Sequence, residues 1–149
     1  MKQRERRIIR LNEVFREYQA AQVAVRMLAA ELRRDPSFLN AFNLQAADFK
    51  RLKTNTEATY LVRMQAEFEG GLRSIWVSTI RDTYPPMSVL LQSLSARRSI
   101  PVQVTENADR ARKFRNAIVH EDSGRAGAVS MQDAARWLAL YFSYMPANW

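Results

Sequence analysis

The tightest constraint on this chain is how little punctuation it carries: no Pro or Gly precedes Pro36, and only four Gly and five Pro occur in 149 residues. Short strands joined by tight turns need many more such residues than this. Ala, Arg, Leu and Glu are abundant and all favour helix. The apolar residues before Pro36 recur as Ile8, Leu11, Phe15, Tyr18, Val25 and Leu32, widened by Val14, Ala21 and Leu28. That is helical spacing over about seven turns. A chain of this length can bury roughly 68–70% of its unfolded surface without metal or disulfide support. With 47% apolar and 26% charged residues it has globular composition.

After the first rod, Asp35 and Pro36 offer a cap and a first helical position. Phe38, Phe42, Phe49 and Leu52 then predict a short helix within Pro36–Lys53. Thr54 and Glu57 have the spacing of a capping box, so a second long helix is predicted from there. Its stripe is Tyr60, Leu61, Met64, Phe68, Leu72, Ile75, Trp76, Thr79 and Ile80, and Pro85-Pro86 stops it near Tyr84. Gly70-Gly71 in its middle is best explained by close approach of a neighbouring helix.

A short helix is expected over Met87–Leu94, then a basic mobile segment over Ser95–Pro101, then a helix over Thr105–Val119. Ser123, Gly124 and Gly127 mark a loop. Ser130 and Asp133 cap a last helix that buries Ala134, Trp137, Leu138, Tyr141, Phe142 and Tyr144. No internal repeat or composition shift divides the chain. The expected fold is all-α, a single-domain bundle of five to six helices over residues 1–149 with two long antiparallel helices.

The absence of Cys excludes disulfides, thiol nucleophiles and cysteine-ligated metals, and a single histidine, His120, excludes a multi-histidine site within one chain. No metal or cofactor is called for. Charge-free runs such as Thr83–Ala96 fall short of the ~20 residues of a membrane helix, and Glu13, Arg16 and Glu17 interrupt any secretory signal, so an intracellular location is expected. The net charge of +8 raises the prior for a polyanionic partner. The excess gathers in residues 1–10, at Lys50, Arg51 and Lys53, at Arg97 and Arg98, and at Arg110, Arg112, Lys113 and Arg115. Each cluster taken alone is equally well a solvated helix face.

His120 is the one histidine of the chain, and a solitary histidine at a helix end commonly serves the free carbonyls there. Its setting is Arg115-Asn116-Ala117-Ile118-Val119-His120, which combines an always-charged phosphate clamp with a proton-transfer group. Cleaving an RNA phosphodiester without metal needs those two functions. On an ideal helix Arg115 and His120 lie about 140° apart. Either the helix loosens at its C-terminal end, or two copies of the chain assemble the site across a two-fold axis. Arg112, Asn116 and His120 form a single row, so Arg112 could grip a flanking phosphate. Lys113 is the neighbouring RNA-binding candidate. Glu69 could orient Arg115 or His120, with Glu67 a weaker candidate, although pairing of Glu69 with Arg73 explains those charges equally well. Phe68, Trp76 and Trp137 have the spacing of core residues rather than base-stacking platforms.

The Arg115–His120 segment resembles the arginine, four to six residues, histidine motif of the HEPN domain family, in which a polar residue follows the arginine. Tyr60–Trp76 is similar to the long helix that precedes the motif in that family, and the helix from Ser130 to the one that follows, so the resemblance covers about residues 55–145. It implies a homodimeric, metal-independent endoribonuclease that cleaves single-stranded RNA through the 2′-hydroxyl, with His120 and Arg115 catalytic and Asn116 supporting. It further implies a toxin of a toxin–antitoxin or phage-defence system, restrained by an antitoxin protein. Asp122 stands where a subgroup silenced by adenylylation has tyrosine, which weighs against a nucleotidyltransferase-type antitoxin. The alternatives are a non-catalytic module of the same family that binds nucleotide, RNA or a partner protein, and a dimerisation scaffold.

Overall fold

A computed structural model describes residues 1–120 and 127–149. Glu121, Asp122, Ser123 and Gly124, on which the loop and the tyrosine comparison were placed, lie outside the described residues. Unbroken helix propensity produces α1 over Gln3–Arg34, closed at its start by the Glu5 carboxylate on the Lys2 amide (3.2 Å). At 32 residues it is about 48 Å long. Leu11 and Val14 are buried on its inner stripe, flanked by half-buried Ile8, Phe15 and Tyr18.

The connection to the second rod departs from expectation. Within Pro36–Lys53 no separate short helix forms: its first part is one 3-10 turn, Phe38–Phe42, ended by Asn43 at φ 60°, and residues 46–53 belong to the second long helix. Asn enters this left-handed region more readily than most residues because its short side chain can bond locally. The second helix, α2, then begins at Ala46 and runs to Thr79. Its cap is Asp48, whose carboxylate accepts from the Gln45 amide at 2.8 Å. Thr54–Glu57 therefore lies inside the helix rather than at its start. Thr56 bonds back to the Leu52 carbonyl, and Glu57 accepts the Met131 amide at 3.1 Å. The carboxylate does serve a helix start, but that of the last helix.

Arg10 pairs with Glu67, Glu17 with Arg63, and Tyr18 packs edge-on against Tyr60. Rising numbers on α1 meet falling numbers on α2, so the two rods are antiparallel. Residues 80–86 lead into α3, Met87–Arg98. The expected mobile basic segment is instead the last turn of this helix and its cap. Ser99 adopts φ 49°, its amide bonds Ala96 O, and the Ile100 amide bonds Ser95 O at 3.0 Å. This is the Schellman arrangement with Ser in the place glycine usually fills. Arg97 and Arg98 sit favourably at the negative end of the helix dipole.

Helices α4 (Val102–Val119) and α5 (Met131–Ser143) complete the bundle. Ser130 caps α5 by accepting the Asp133 amide at 3.1 Å. The structure is an all-α bundle with no strand among the described residues. No described helix is long and apolar enough to cross a membrane. Leu61, Met64, Phe68, Leu72 and Ile75 of α2 form the centre of the core with Leu138, Tyr141 and Phe142 of α5. Tyr144 stays exposed, and Met145 takes the buried place expected for it. Thr79, expected on the inner stripe of α2, is likewise exposed, because the helix ends there.

Phe68 packs edge-to-face on both Tyr141 (5.4 Å between centroids) and Phe142 (5.0 Å). Gly71 permits this. A methyl group there would run into Phe142 Cζ and lie 3.0 Å from Cε1, whereas one on Gly70 would meet nothing within 4 Å. Only the second glycine of the pair answers to close helix approach. The Tyr141 hydroxyl donates to Leu91 O at 2.9 Å and lies 3.0 Å from Ser95 Oγ, which also accepts from Thr105 Oγ1 at 2.8 Å. One buried hydroxyl thus links α5 to α3 and, through Ser95, to α4. Burial pushes this phenol up to about 12, opposed by its bond with Ser95.

Two outcomes follow for unfolding in urea. Gly71→Ala should lose about 1–3 kcal/mol by overpacking while Gly70→Ala gains about 0.5–1 kcal/mol, and equal effects would contradict the packing described. Below about pH 10 both folded and unfolded states keep the Tyr141 proton. Between about 10 and 12 the unfolded chain loses it first, so stability should fall by up to about 1.4 kcal/mol per pH unit there. Tyr141→Phe should remove that part of the alkaline slope.

Candidate functional site: the arginine cleft and the end of α4

Helix α4 faces the core with Val104, Ala108 and Ala111, followed by half-buried Phe114 and Ile118. Arg115 follows Ala111 by four residues and is therefore carried toward α2 rather than into solvent. Its side chain is 28% exposed. One terminal nitrogen donates to Asn116 Oδ1 at 2.9 Å and the other lies 3.6 Å from Glu69 Oε2, while Nε is buried without a hydrogen-bond partner among the described residues.

Glu69 holds two arginines. Its Oε1 accepts Arg73 Nε at 2.9 Å and Nη2 at 2.6 Å, a fork that follows from i,i+4 spacing on α2. Arg73 in turn donates to Pro85 O at 3.0 Å and lies 3.7 Å over the Tyr84 ring. The segment leading into α3 is fastened to α2 in this way. Glu67 lies nearest Arg10 of α1 instead, at 3.9 Å, and takes no part in the site.

Arg112 donates from Nε to Asp109 Oδ1 at 2.7 Å, and Lys113 Nζ lies 2.9 Å from the other oxygen. Burial raises the Asp109 carboxyl, but hydrogen bonds and charge from Lys113 and Arg112 outweigh it and hold the group below its ordinary value. Arg112 keeps its terminal nitrogens out of that pair.

These side chains converge on a cleft of about 290 Å³ lined by Gln65, Glu69 and Arg73 of α2, Pro86, Met87 and Ser88 at the start of α3, and Arg112, Arg115 and Asn116 of α4. Of the sequence-derived candidates, Arg115, Asn116, Arg112 and Glu69 meet there. His120 and Lys113 do not. His120 is exposed as the C-cap of α4, its amide bonding Asn116 O at 2.9 Å. The helix is regular as far as Val119, so loosening before His120 is not how Arg115 and His120 could converge.

Gln65 was not among the candidates. It is 2% exposed, and neither its carboxamide oxygen nor its nitrogen has a hydrogen-bond partner among the described residues. The signal was present: Gln65 interrupts the apolar stripe between Leu61, Met64 and Phe68. Phe68 and Trp76 are buried, and Trp137 is half-buried beneath Arg110, whose Cζ lies 5.0 Å from the ring centroid. Among the described residues no group of three or more His, Cys, Asp or Glu side chains could hold a metal ion.

Comparison with protein-family models, curated proteins and solved structures finds no match to this chain.

Removing the shared carboxylate should be felt in stability. Glu69→Gln should lose about 1–3 kcal/mol, because two partly buried guanidiniums forfeit their charged acceptor. Glu67→Gln should stay within about 0.5 kcal/mol of the parent. Urea midpoints of the two variants check this, and reversal of their order would refute the role given to Glu69.

Proposed function

We propose that the protein is a metal-independent endoribonuclease of HEPN type, acting on single-stranded RNA as a homodimer. The observation that carries this is the disposition of α4: Arg115 is oriented by Glu69 and Asn116 in the cleft, and His120 is exposed at the end of the same regular helix. A straight helix keeps the two about 140° apart, which supports a composite site in which two copies contribute to one phosphate.

In that reaction the imidazole of one His120 takes the proton of a ribose 2′-hydroxyl. The 2′-oxygen attacks the adjacent phosphorus, and the bond to the 5′-oxygen of the next nucleotide breaks. The second copy's His120, as imidazolium, returns a proton to that oxygen. The products are a 2′,3′-cyclic phosphate and a 5′-hydroxyl. Arg115 supplies fixed charge for the developing phosphorane, and Asn116 holds Arg115 in place. Arg112 and Lys113 bind flanking phosphates. No cofactor takes part. The resemblance places such an activity in a toxin–antitoxin or phage-defence setting, with an antitoxin protein as partner and the cytoplasm as its location.

The test is cleavage of single-stranded RNA in EDTA. His120→Ala and Arg115→Ala should each lower cleavage at least about a hundredfold. Arg112→Ala and Lys113→Ala should mainly weaken RNA binding and reduce its salt slope by about one each. Undiminished cleavage by His120→Ala would refute the mechanism. Binding of RNA without cleavage by the parent would point to the non-catalytic module, a reading favoured by the buried carboxamide of Gln65 in the cleft.

A further inference from the structure

We propose that the cleft between α2, α3 and α4 is a binding site, complete within one protomer, for a small phosphomonoester that also carries a hydroxyl group. The proposal does not depend on cleavage of RNA or on His120.

Three independent features point to such a ligand. The first is charge: among the described residues Arg73, Arg112 and Arg115 line the cleft against Glu69 alone, with Asp109 drawing on Arg112 from beside it. Every nitrogen of Arg73 already donates to Glu69 or Pro85, whereas among the described residues Arg112 donates only through Nε and Arg115 only to Asn116, so these two have more donors to give. A phosphate entering the cleft would draw Arg115 from its 3.6 Å approach to Glu69, which keeps Arg73.

The second is the start of α3. Pro86 has no N–H, and the first helical bonds are made by Val89 and Leu90 to Pro86 O. Met87 and Ser88, which precede those bonds, line the cleft at the positive end of a 12-residue helix.

The third is Gln65. A carboxamide that is 98% out of solvent and makes no hydrogen bond among the described residues is costly unless a partner arrives from outside the fold. Its nitrogen can donate to a phosphate oxygen. Its oxygen requires a donor, which a fully ionised phosphate lacks and a neighbouring hydroxyl supplies. A volume of about 290 Å³ lies at the lower end of the range for ligand pockets and admits a sugar phosphate or one nucleotide rather than a chain.

The test is isothermal titration of the full-length protein at low ionic strength with inorganic phosphate, ribose 5-phosphate and AMP. Ribose 5-phosphate should bind about tenfold more tightly than inorganic phosphate. AMP binding no tighter than ribose 5-phosphate would identify the sugar phosphate as what is recognised, and tighter binding would identify a nucleotide; either supports the site. Gln65→Leu, close in size and apolar, should abolish the advantage of ribose 5-phosphate, while inorganic phosphate loses one amide donor and weakens by less, still held by Arg112 and Arg115. Arg112→Gln should weaken all three ligands at least about fivefold. His120→Ala should bind as the parent does, even where RNA cleavage is lost, which separates this site from the nuclease reaction. Should Gln65→Leu fail to fold, Arg112→Gln and His120→Ala still decide the matter. Failure of ribose 5-phosphate and AMP to bind at millimolar concentration, or equal affinity in the parent and Arg112→Gln, would overturn the proposal.

Discussion

The Phe142 ring lies where a side chain at position 71 would otherwise be, and the rest of the bundle is arranged around that contact. Because α5 comes so close to α2, Phe68 can pack edge-to-face on two aromatic rings at once, each pair adding about 0.5–1.5 kcal/mol beyond the area it buries. The same approach puts the Tyr141 hydroxyl within reach of Leu91 and Ser95, which positions α3. The Ser95–Thr105 bond then passes that placement on to α4. The start of α3 and the middle of α4 come to rest on either side of Glu69 and Gln65. The geometry of the cleft is thus a consequence of a missing methyl group on the far side of the same helix.

Electrostatically, the cleft is organised by one carboxylate shared between two arginines. Glu69 neutralises part of the charge and, more importantly, limits the conformations of Arg73 and Arg115. A guanidinium held in this way loses less entropy when it meets an anion than one free in solvent. Elsewhere the positive charge is spent differently. Arg4 donates to the carbonyls of Ser143 and Met145 at 3.1 Å, closing the C-terminal end of α5, and Arg63 pairs with Glu17 between the long rods. The net +8 of the chain therefore does not translate into a single anion-binding face.

Much of the architecture is legible in the residues. The stripes Leu11–Val14 and Leu61–Ile75 and the Ser130 cap correspond to what the bundle contains, because each is enforced within a few residues of backbone, whereas α2 ends at Thr79, several residues short of the end near Tyr84 that Pro85-Pro86 predicts. The errors share a cause as well. Thr54–Glu57 has the spacing of a cap, but Asn43 and the Gln45–Asp48 pair open the helix earlier, and Glu57 finds its amide on α5. Ser95–Pro101 reads as a basic mobile segment, yet Ser95 is buried against the Tyr141 hydroxyl, 3.0 Å away.

For the candidate site the division is similar. The identities of Arg115, Asn116 and His120, and their spacing along one helix, belong to the sequence alone, as does the angle between them on that helix. Whether a charged side chain lies in solvent or against a partner does not, because that depends on which helix packs alongside. Tertiary packing decided that Arg115 turns toward Glu69, that His120 ends a helix in the open, and that Gln65 closes a cleft rather than filling a core. Periodicity reports which face of a helix is buried. Only the meeting of faces reports what a buried polar group has to bond with.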